Sequence, residues 1–366
     1  MKKTSLARCF FIHTKFQFRI NIIMFSKILI SRRKLLNNVD YLSSLTSSKI
    51  CAMVKANAYG HGIKEVVEII DKKVDYFGVS NENESLEIRQ ISDSGIIVFG
   101  ACQDYEVLIK KHISFAIFSY FDAKKVINLA KKTKLLPKIH VCINSGMNRY
   151  GVKTIEEFEK IIEIMRKNNI KLEGLYTHFS SLTTDNYYTK KQHERFLEFA
   201  SLLPKEWKTI KHIGGGNSLY TDMSADMYRV GLQLYGYGNE QVEPVMKVQS
   251  QIVDLQEVEK GEHVGYLCSY TATKNITVAT VPLGYADGFP RKLSNNFTIN
   301  INGKEAKSVG NICMDAMMFD VSDISCKVGD KVCVFDNATK FAKMLNTSEY
   351  EVLTNLSHLR GERIVY

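Results

Sequence analysis

The sequence predicts an α/β protein, a (β/α)8 barrel followed by a C-terminal mostly-β domain. Three observations predict it. Eight short apolar runs alternate with helical patterns between residues 49 and 236. The runs are apolar throughout, as strands must be when helices cover both faces of a parallel sheet. After Gly238 the helical spacing nearly vanishes until about residue 338, and short β-rich runs with turn signals replace it.

The elements follow in order. The strand-like runs are "ICAMV" (50–54), "YFGVS" (76–80), "GIIVFGA" (95–101), "SFAIFSY" (114–120), "PKIHVCIN" (137–144), "LEGLYTHFS" (172–180), "TIKHIGGG" (209–216) and "YRVGLQLYG" (228–236). Between them, "GIKEVVEIIDKK" (62–73) places apolar residues at 63, 66, 67, 69 and 70, one face of a helix. "DAKKVINLAKK" (122–132) and "TIEEFEKIIEIMRKN" (154–168) repeat that spacing. An open doubly wound sheet needs a phosphate loop at a switch point, and no GxGxxG follows the first strand. The β-rich part contains "NITVATVPLG", "FTININGKEAKSVGNICMDAMMFDV" and "DKVCVFD", with turns at "KGE" and "NGK". These textures divide the chain into a disordered basic extension (1–23), a barrel (24–238) and a β-domain (239–366).

Composition narrows the function classes. The net charge is +10, but residues 1–39 carry nine Lys or Arg and no acid, leaving +1 for residues 40–366. A nearly neutral body gives little support to a basic face for nucleic acid. No window reaches the roughly 18 apolar residues of a membrane helix. The eight cysteines (9, 51, 102, 142, 268, 313, 326 and 333) form no CxxC pair. Several sit in apolar runs, the usage of reduced thiols in a cytoplasmic protein and not of a zinc site or disulfide frame; no metal site is expected.

Barrel chemistry gathers where strands end. Lys55 follows the first run, Asn144 and Arg149 the fifth, His178 ends the sixth, Asn217 and Ser218 follow the seventh, and Arg229 and Gly231 lie at the eighth. A lysine at the end of a buried strand is partly desolvated, and cationic neighbours lower its pKa further. A neutral amine can attack an aldehyde and form a Schiff base. Glycine-rich turns followed by serine can cradle a phosphate with backbone N–H groups. Together these are the parts of a pyridoxal-phosphate site.

The same residues resemble the alanine racemases. "AMVKANAYGHG" is similar to that family's cofactor-lysine motif. The resemblance continues through "SGMNRYG", "LYTHFS", "GGGNS", "DMYRVGLQLYG", "VGYLCSYTA", "VPLGYADGFPR" and "VGNICMDAMMFDV", in order over residues ~27–366. It implies pyridoxal 5'-phosphate as cofactor, alanine as substrate and a homodimer with shared active sites. Lys55 would carry the cofactor and act as one catalytic base. Tyr266 would be the second base, acting from the other subunit. Tyr59, Ser218 and the N–H groups of Gly231 and Leu232 would hold the phosphate, with Asn217 beside it. Arg229 would face the pyridine nitrogen, with His178 close by. Arg149, Met314 and Asp315 would meet the substrate, and Tyr285 and Arg291 would line the entrance. Racemisation removes a proton from one face and returns one to the other, so two bases suit it. A tyrosine needs nearby positive charge to serve as a base, and the His178–Arg229 pair is a candidate source. The product would be D-alanine for peptidoglycan.

Three positions depart from the family pattern. Cys142 stands where a carbamylated lysine often braces the substrate arginine, so Arg149 needs another anion, such as chloride, or water. His358 falls near the place of a phosphate-binding tyrosine. Asn311 stands where an arginine is common. The competing readings are a racemase of another small amino acid such as serine, a non-catalytic pyridoxal-phosphate carrier, and a decarboxylase using "CMD" at 313–315.

Overall fold

A computed structural model describes residues 25–182, 184–215 and 217–366. The expected disordered extension at 1–23, and Met24 after it, lie outside the described residues. Eight parallel strands close a barrel in chain order: β2 (Lys49–Met53), β3 (Tyr76–Val79), β4 (Gly95–Val98), β5 (Ser114–Ile117), β6 (Ile139–Cys142), β7 (Leu172–Tyr176), β8 (Ile210–Gly214) and β9 (Met227–Val230), where β9 pairs back on β2; β1 precedes them. These are the eight apolar runs of the sequence, each shortened at the C-terminal end, with β2 and β9 each beginning one residue earlier, at Lys49 and Met227. The trimmed ends turn away from the ladder. Leu232–Tyr235, for example, form a 3-10 turn and do not extend β9.

The helices between the strands begin where the sequence supplies caps. Ser119 accepts the N–H of Asp122, and Thr154 accepts that of Glu157, satisfying first-turn donors that have no partner within the helix. Helix Ile155–Lys167 buries Phe158, Ile161, Ile162 and Met165 against the barrel, the face that its three-four spacing predicts.

The remaining strands are β1 (Lys27–Ile30), β10 (Met246–Gln251), β11 (Asp254–Val258), β12 (His263–Val264), β13 (Tyr270–Thr271), β14 (Ile276–Val281), β15 (Thr298–Ile301), β16 (Lys304–Ser308), β17 (Met317–Asp320), β18 (Lys331–Phe335) and β19 (Glu362–Val365). Nine of them form one sheet in the order β11-β14-β17-β16-β15-β18-β10-β1-β19. This corrects the expected boundary at the N-terminal side. β1 is not a barrel element, since it pairs antiparallel with β10 and parallel with β19. The alternation of Ile28 and Ile30, both fully buried, reads equally well for either sheet, and only long-range pairing decides.

Candidate active site

The C-terminal ends of the barrel strands surround a cavity of about 580 Å³. Lys55, Tyr59, Cys142, Asn144, Arg149, His178, Arg229 and Gly231 line it. β2 delivers Lys55: Cys51, Ala52 and Val54 are fully buried, so the strand has no freedom to swing the lysine elsewhere. The Lys55 amine is held below its usual pKa, first by burial and then by the Arg149 cation, with Arg229 adding to the effect and Glu84 opposing it. That is the direction that frees an amine for nucleophilic work.

The chain then winds the wrong way. Ala56, Asn57, Ala58 and Tyr59 all have φ of 52–53°. Four consecutive left-handed residues without a glycine are costly, on the order of 1–2 kcal/mol each. The turn brings Tyr59 back over the barrel mouth. Its hydroxyl lies so close to Gly231 that a Cβ there would stand 2.7 Å from it. Any side chain at Gly231 would therefore crowd the Tyr59 hydroxyl. Ser218, also buried, opens the short turn Ser218–Tyr220 that follows β8, and the Asn217 side chain is fixed by Gln233 Nε2 at 2.5 Å.

Arg229 is the buried cation of the floor. Nη2 donates to the Thr177 carbonyl at 2.6 Å, and Nη1 donates to His212 Nδ1 at 2.9 Å. The guanidinium also lies over the rings of Tyr176 and Phe99, at 4.9 and 5.3 Å. The bonds assign the protons of a chain through the barrel. His212 accepts at Nδ1 and so donates from Nε2 to His140 at 2.8 Å, and His140 donates to Glu173 at 3.1 Å. Arg229 thus has a partly buried carboxylate three links below it, and no carboxylate is bonded to it among the described residues.

His178 differs from expectation. Burial, with the nearby cations Arg229, Arg149 and Lys55, lowers its pKa to about 3. The imidazole is neutral near pH 7, and its Nδ1 lies 3.5 Å from Arg229 Nη2. The positive charge of the expected His178–Arg229 pair therefore resides on Arg229 alone. Cys142 is also neutral: burial pushes its thiol up to about 11. Arg149, on the exposed rim, has no carboxylate partner among the described residues and leans on Tyr150 at 5.7 Å.

Several lining residues escaped the sequence reading, among them Ser80, Phe99, Tyr150 and Tyr176 from the barrel and, from the C-terminal part, Tyr350. Tyr350, on helix Glu349–Asn355, reaches the cavity and stands beside Tyr59, with ring centroids 5.7 Å apart. His358 lies on the surface and does not line the cavity. The signal for Tyr350 is its apolar helical spacing with Val352 and Leu353, which points to a packed helix but not to the cavity that it faces.

The β-domain candidates are elsewhere. Tyr266, Tyr285, Arg291, Met314 and Asp315 do not line the cavity. They gather on a second surface. Asn311 Nδ2 donates to the Tyr266 carbonyl at 2.9 Å, Tyr285 N donates to Cys313 O at 3.0 Å, and Ala286 N donates to Met314 O at 3.1 Å. Arg360 donates to both oxygens of buried Asp287 at 2.9 Å and also pairs with Asp315 at 2.7 Å, which steadies this surface. Left-handed Leu267 and Cys268 turn the chain so that Tyr266 stands 68% exposed. The single chain thus presents two separate groups of candidate residues, one concave and one projecting.

Comparison with known proteins bears on both halves. Residues 30–239 match the family model "Alanine racemase, N-terminal domain", and residues 245–365 match "Alanine racemase, C-terminal domain". An alanine racemase of Francisella philomiragia is 31% identical over 354 residues, covering 90% of this chain and 96% of its own. Alanine racemase 2 of Caldanaerobacter subterraneus is 33% identical over 335 residues, covering 84% and 86%. Among solved structures, alanine racemase of Clostridium difficile 630 superposes with a TM-score of 0.88 at 34% identity, covering 94% of this chain and 96% of that one. That of Bartonella henselae, described with covalently bound pyridoxal phosphate, shares the fold at a TM-score of 0.84 and 24% identity, covering 94% of this chain and 100% of that one.

Proposed function

The chain belongs to the alanine racemase family and interconverts L-alanine and D-alanine, and we propose that it does so with pyridoxal phosphate carried on Lys55. The observation that carries this reading is the placement of Lys55: a partly desolvated amine at the end of a rigid strand, in a cavity floored by Arg229. The residues present fit the cofactor. Lys55 would bind its aldehyde carbon. Arg229 would face the ring nitrogen. Tyr59, Ser218 and the N–H groups of Gly231 and Leu232 would hold the phosphate where a Cβ on Gly231 would otherwise intrude. When bound, pyridoxal phosphate supplies an electron sink that makes the α-proton of the amino acid removable.

The chain's own groups supply the rest. The Lys55 amine would be the base on one face of the substrate. Tyr266 is the base on the other, contributed by a second copy of the chain. Arg229, a permanently charged guanidinium with only donors, would favour an unprotonated ring nitrogen. Such a partner would make a weaker electron sink than a carboxylate would and so disfavour transamination. Neutral His178 leaves the cavity's positive charge to Arg229, Arg149 and Lys55. Arg149, without a carboxylate of its own, is free to take the substrate carboxylate or a small anion. We further propose a homodimer in the cytoplasm that supplies D-alanine for peptidoglycan. The seven described cysteines are all unpaired, which suits a reducing compartment.

Purified protein given pyridoxal phosphate and L-alanine forms D-alanine until the two are equal, with L-serine slower and L-ornithine untouched. Faster serine turnover would move the substrate to that amino acid, and ornithine decarboxylation would replace the reading. Tyr350 joins the phosphate group of residues in this proposal. Tyr350→Phe should weaken cofactor affinity by about fivefold, the worth of one hydrogen bond of about 1 kcal/mol, measured by equilibrium titration. An unchanged dissociation constant removes Tyr350 from the set.

A further inference from the structure

The left-handed turn from Ala56 to Tyr59 separates the residue that would bind the cofactor's aldehyde from one that would bind its phosphate. Such a segment persists only when its surroundings over-determine it. Its far end is held by buried His61, whose Nδ1 lies 3.0 Å from both the Ala58 and the Tyr59 carbonyls. Asn57 Oδ1 accepts the N–H of Ile63 at 2.9 Å. The near end, next to Lys55, is held by one side chain. Glu84 Oε1 accepts the N–H of Ala56 at 2.6 Å, while Oε2 accepts the N–H and hydroxyl of Ser80 at 2.9 and 3.0 Å. Ser80 itself lines the cavity at the end of β3. Glu84 is fixed in turn, because its own N–H is capped by Asn81 Oδ1 at 3.0 Å.

We propose that Glu84 is the positioning residue of the Lys55 turn: it ties the Ala56 amide to the end of β3 and so fixes Lys55 relative to Tyr59. The proposal rests on the reading that Lys55 carries pyridoxal phosphate. It explains why a carboxylate serves here. Two oxygens are needed for three donors from two strand ends, and a neutral amide would turn its NH₂ toward one of them. The charge also acts on Lys55. The groups around the amine are the cations Arg149 and Arg229 and neutral His178, and Glu84 is the carboxylate that opposes them. Glu84 also acts on Glu87 of its own helix, which Glu65 of helix Ile63–Ile70 faces as well, and on the Tyr235 phenol.

The test follows uptake of pyridoxal phosphate by cofactor-stripped full-length protein across pH, with borohydride trapping on Lys55 and mass spectrometry. Imine formation needs the neutral amine, so uptake rises through the Lys55 pKa. Glu84 favours the ammonium, so Glu84→Gln should move the midpoint of that rise down by about one pH unit and speed uptake below it. Glu84→Ala should show the same displacement with cofactor affinity about tenfold weaker, because the Ala56 amide is also released. Glu84→Gln is nearly isosteric and carries the midpoint test alone if Glu84→Ala does not fold. A merely structural role would lower thermal stability without moving the midpoint, and that result, or wild-type uptake in both variants, overturns the proposal. Wild-type protein that traps no cofactor on Lys55 overturns the cofactor reading and this proposal with it; trapping in wild type with no displacement in Glu84→Gln overturns the role of Glu84 alone.

Discussion

Lys55→Ala should leave less than about one-thousandth of wild-type racemisation, because the change removes a covalent anchor and a base together. General acid–base groups alone contribute roughly 10²–10⁴-fold, and a nucleophile cannot be replaced by water at the same position. Borohydride reduction with pyridoxal phosphate should tag Lys55 in the wild type and leave Lys55→Ala untagged. The fold should persist, since the side chain only lines the cavity and donates no hydrogen bond to the described residues. Turnover above about one-hundredth of wild type, with the tag on another lysine, would remove Lys55 from the mechanism.

The second large effect concerns Tyr266 and separates one-chain from two-chain chemistry. Tyr266→Phe should cost roughly 10²–10⁴-fold in racemisation. It should still wash solvent deuterium into one enantiomer without inversion, because Lys55 continues to serve its face. The equilibrium between enantiomers fixes kcat/KM equal in both directions, so this exchange pattern is the more informative readout. Mixing Lys55→Ala with Tyr266→Phe after reversible dissociation should restore about a quarter of wild-type activity, since half the dimers are mixed and each holds one intact site. The physical basis is the separation of the two residues: Tyr266 is exposed and outside the Lys55 cavity of its own chain. A mixture as inactive as its components would mean that both bases act within one subunit.

Much of this was legible before any coordinates. The eight apolar runs became the eight barrel strands because a strand covered on both faces needs apolar residues at every position, which is a local signal. Lys55 was legible for the same reason, as a charge at the end of a run that burial forbids charges to interrupt. β1 was not, because four alternating residues suit either sheet and its partners lie more than 200 residues away. Tyr350 was not, because a helix facing a cavity and a helix facing a core share one periodicity. His178 was placed correctly but not its charge, since a neutral imidazole follows from the burial and cations around it, neither of which is a property of its neighbours in sequence.

The left-handed turn divides the two kinds of information most clearly. By itself the sequence determined the barrel, the β-domain and the lysine at a strand end, because apolar periodicity and turn residues act over a few positions; the tyrosines were implied by the family resemblance alone. Only the tertiary structure decided that Ala56 to Tyr59 wind left-handed, a conformation that none of those residues prefers. Intrinsic preference costs them several kcal/mol, on the order of 1–2 each, and the balance is met by Glu84, His61 and Asn57 at fixed distances. Local propensity is a sum over neighbours in the chain, whereas the position of a catalytic amine is set by groups that meet only when the barrel closes.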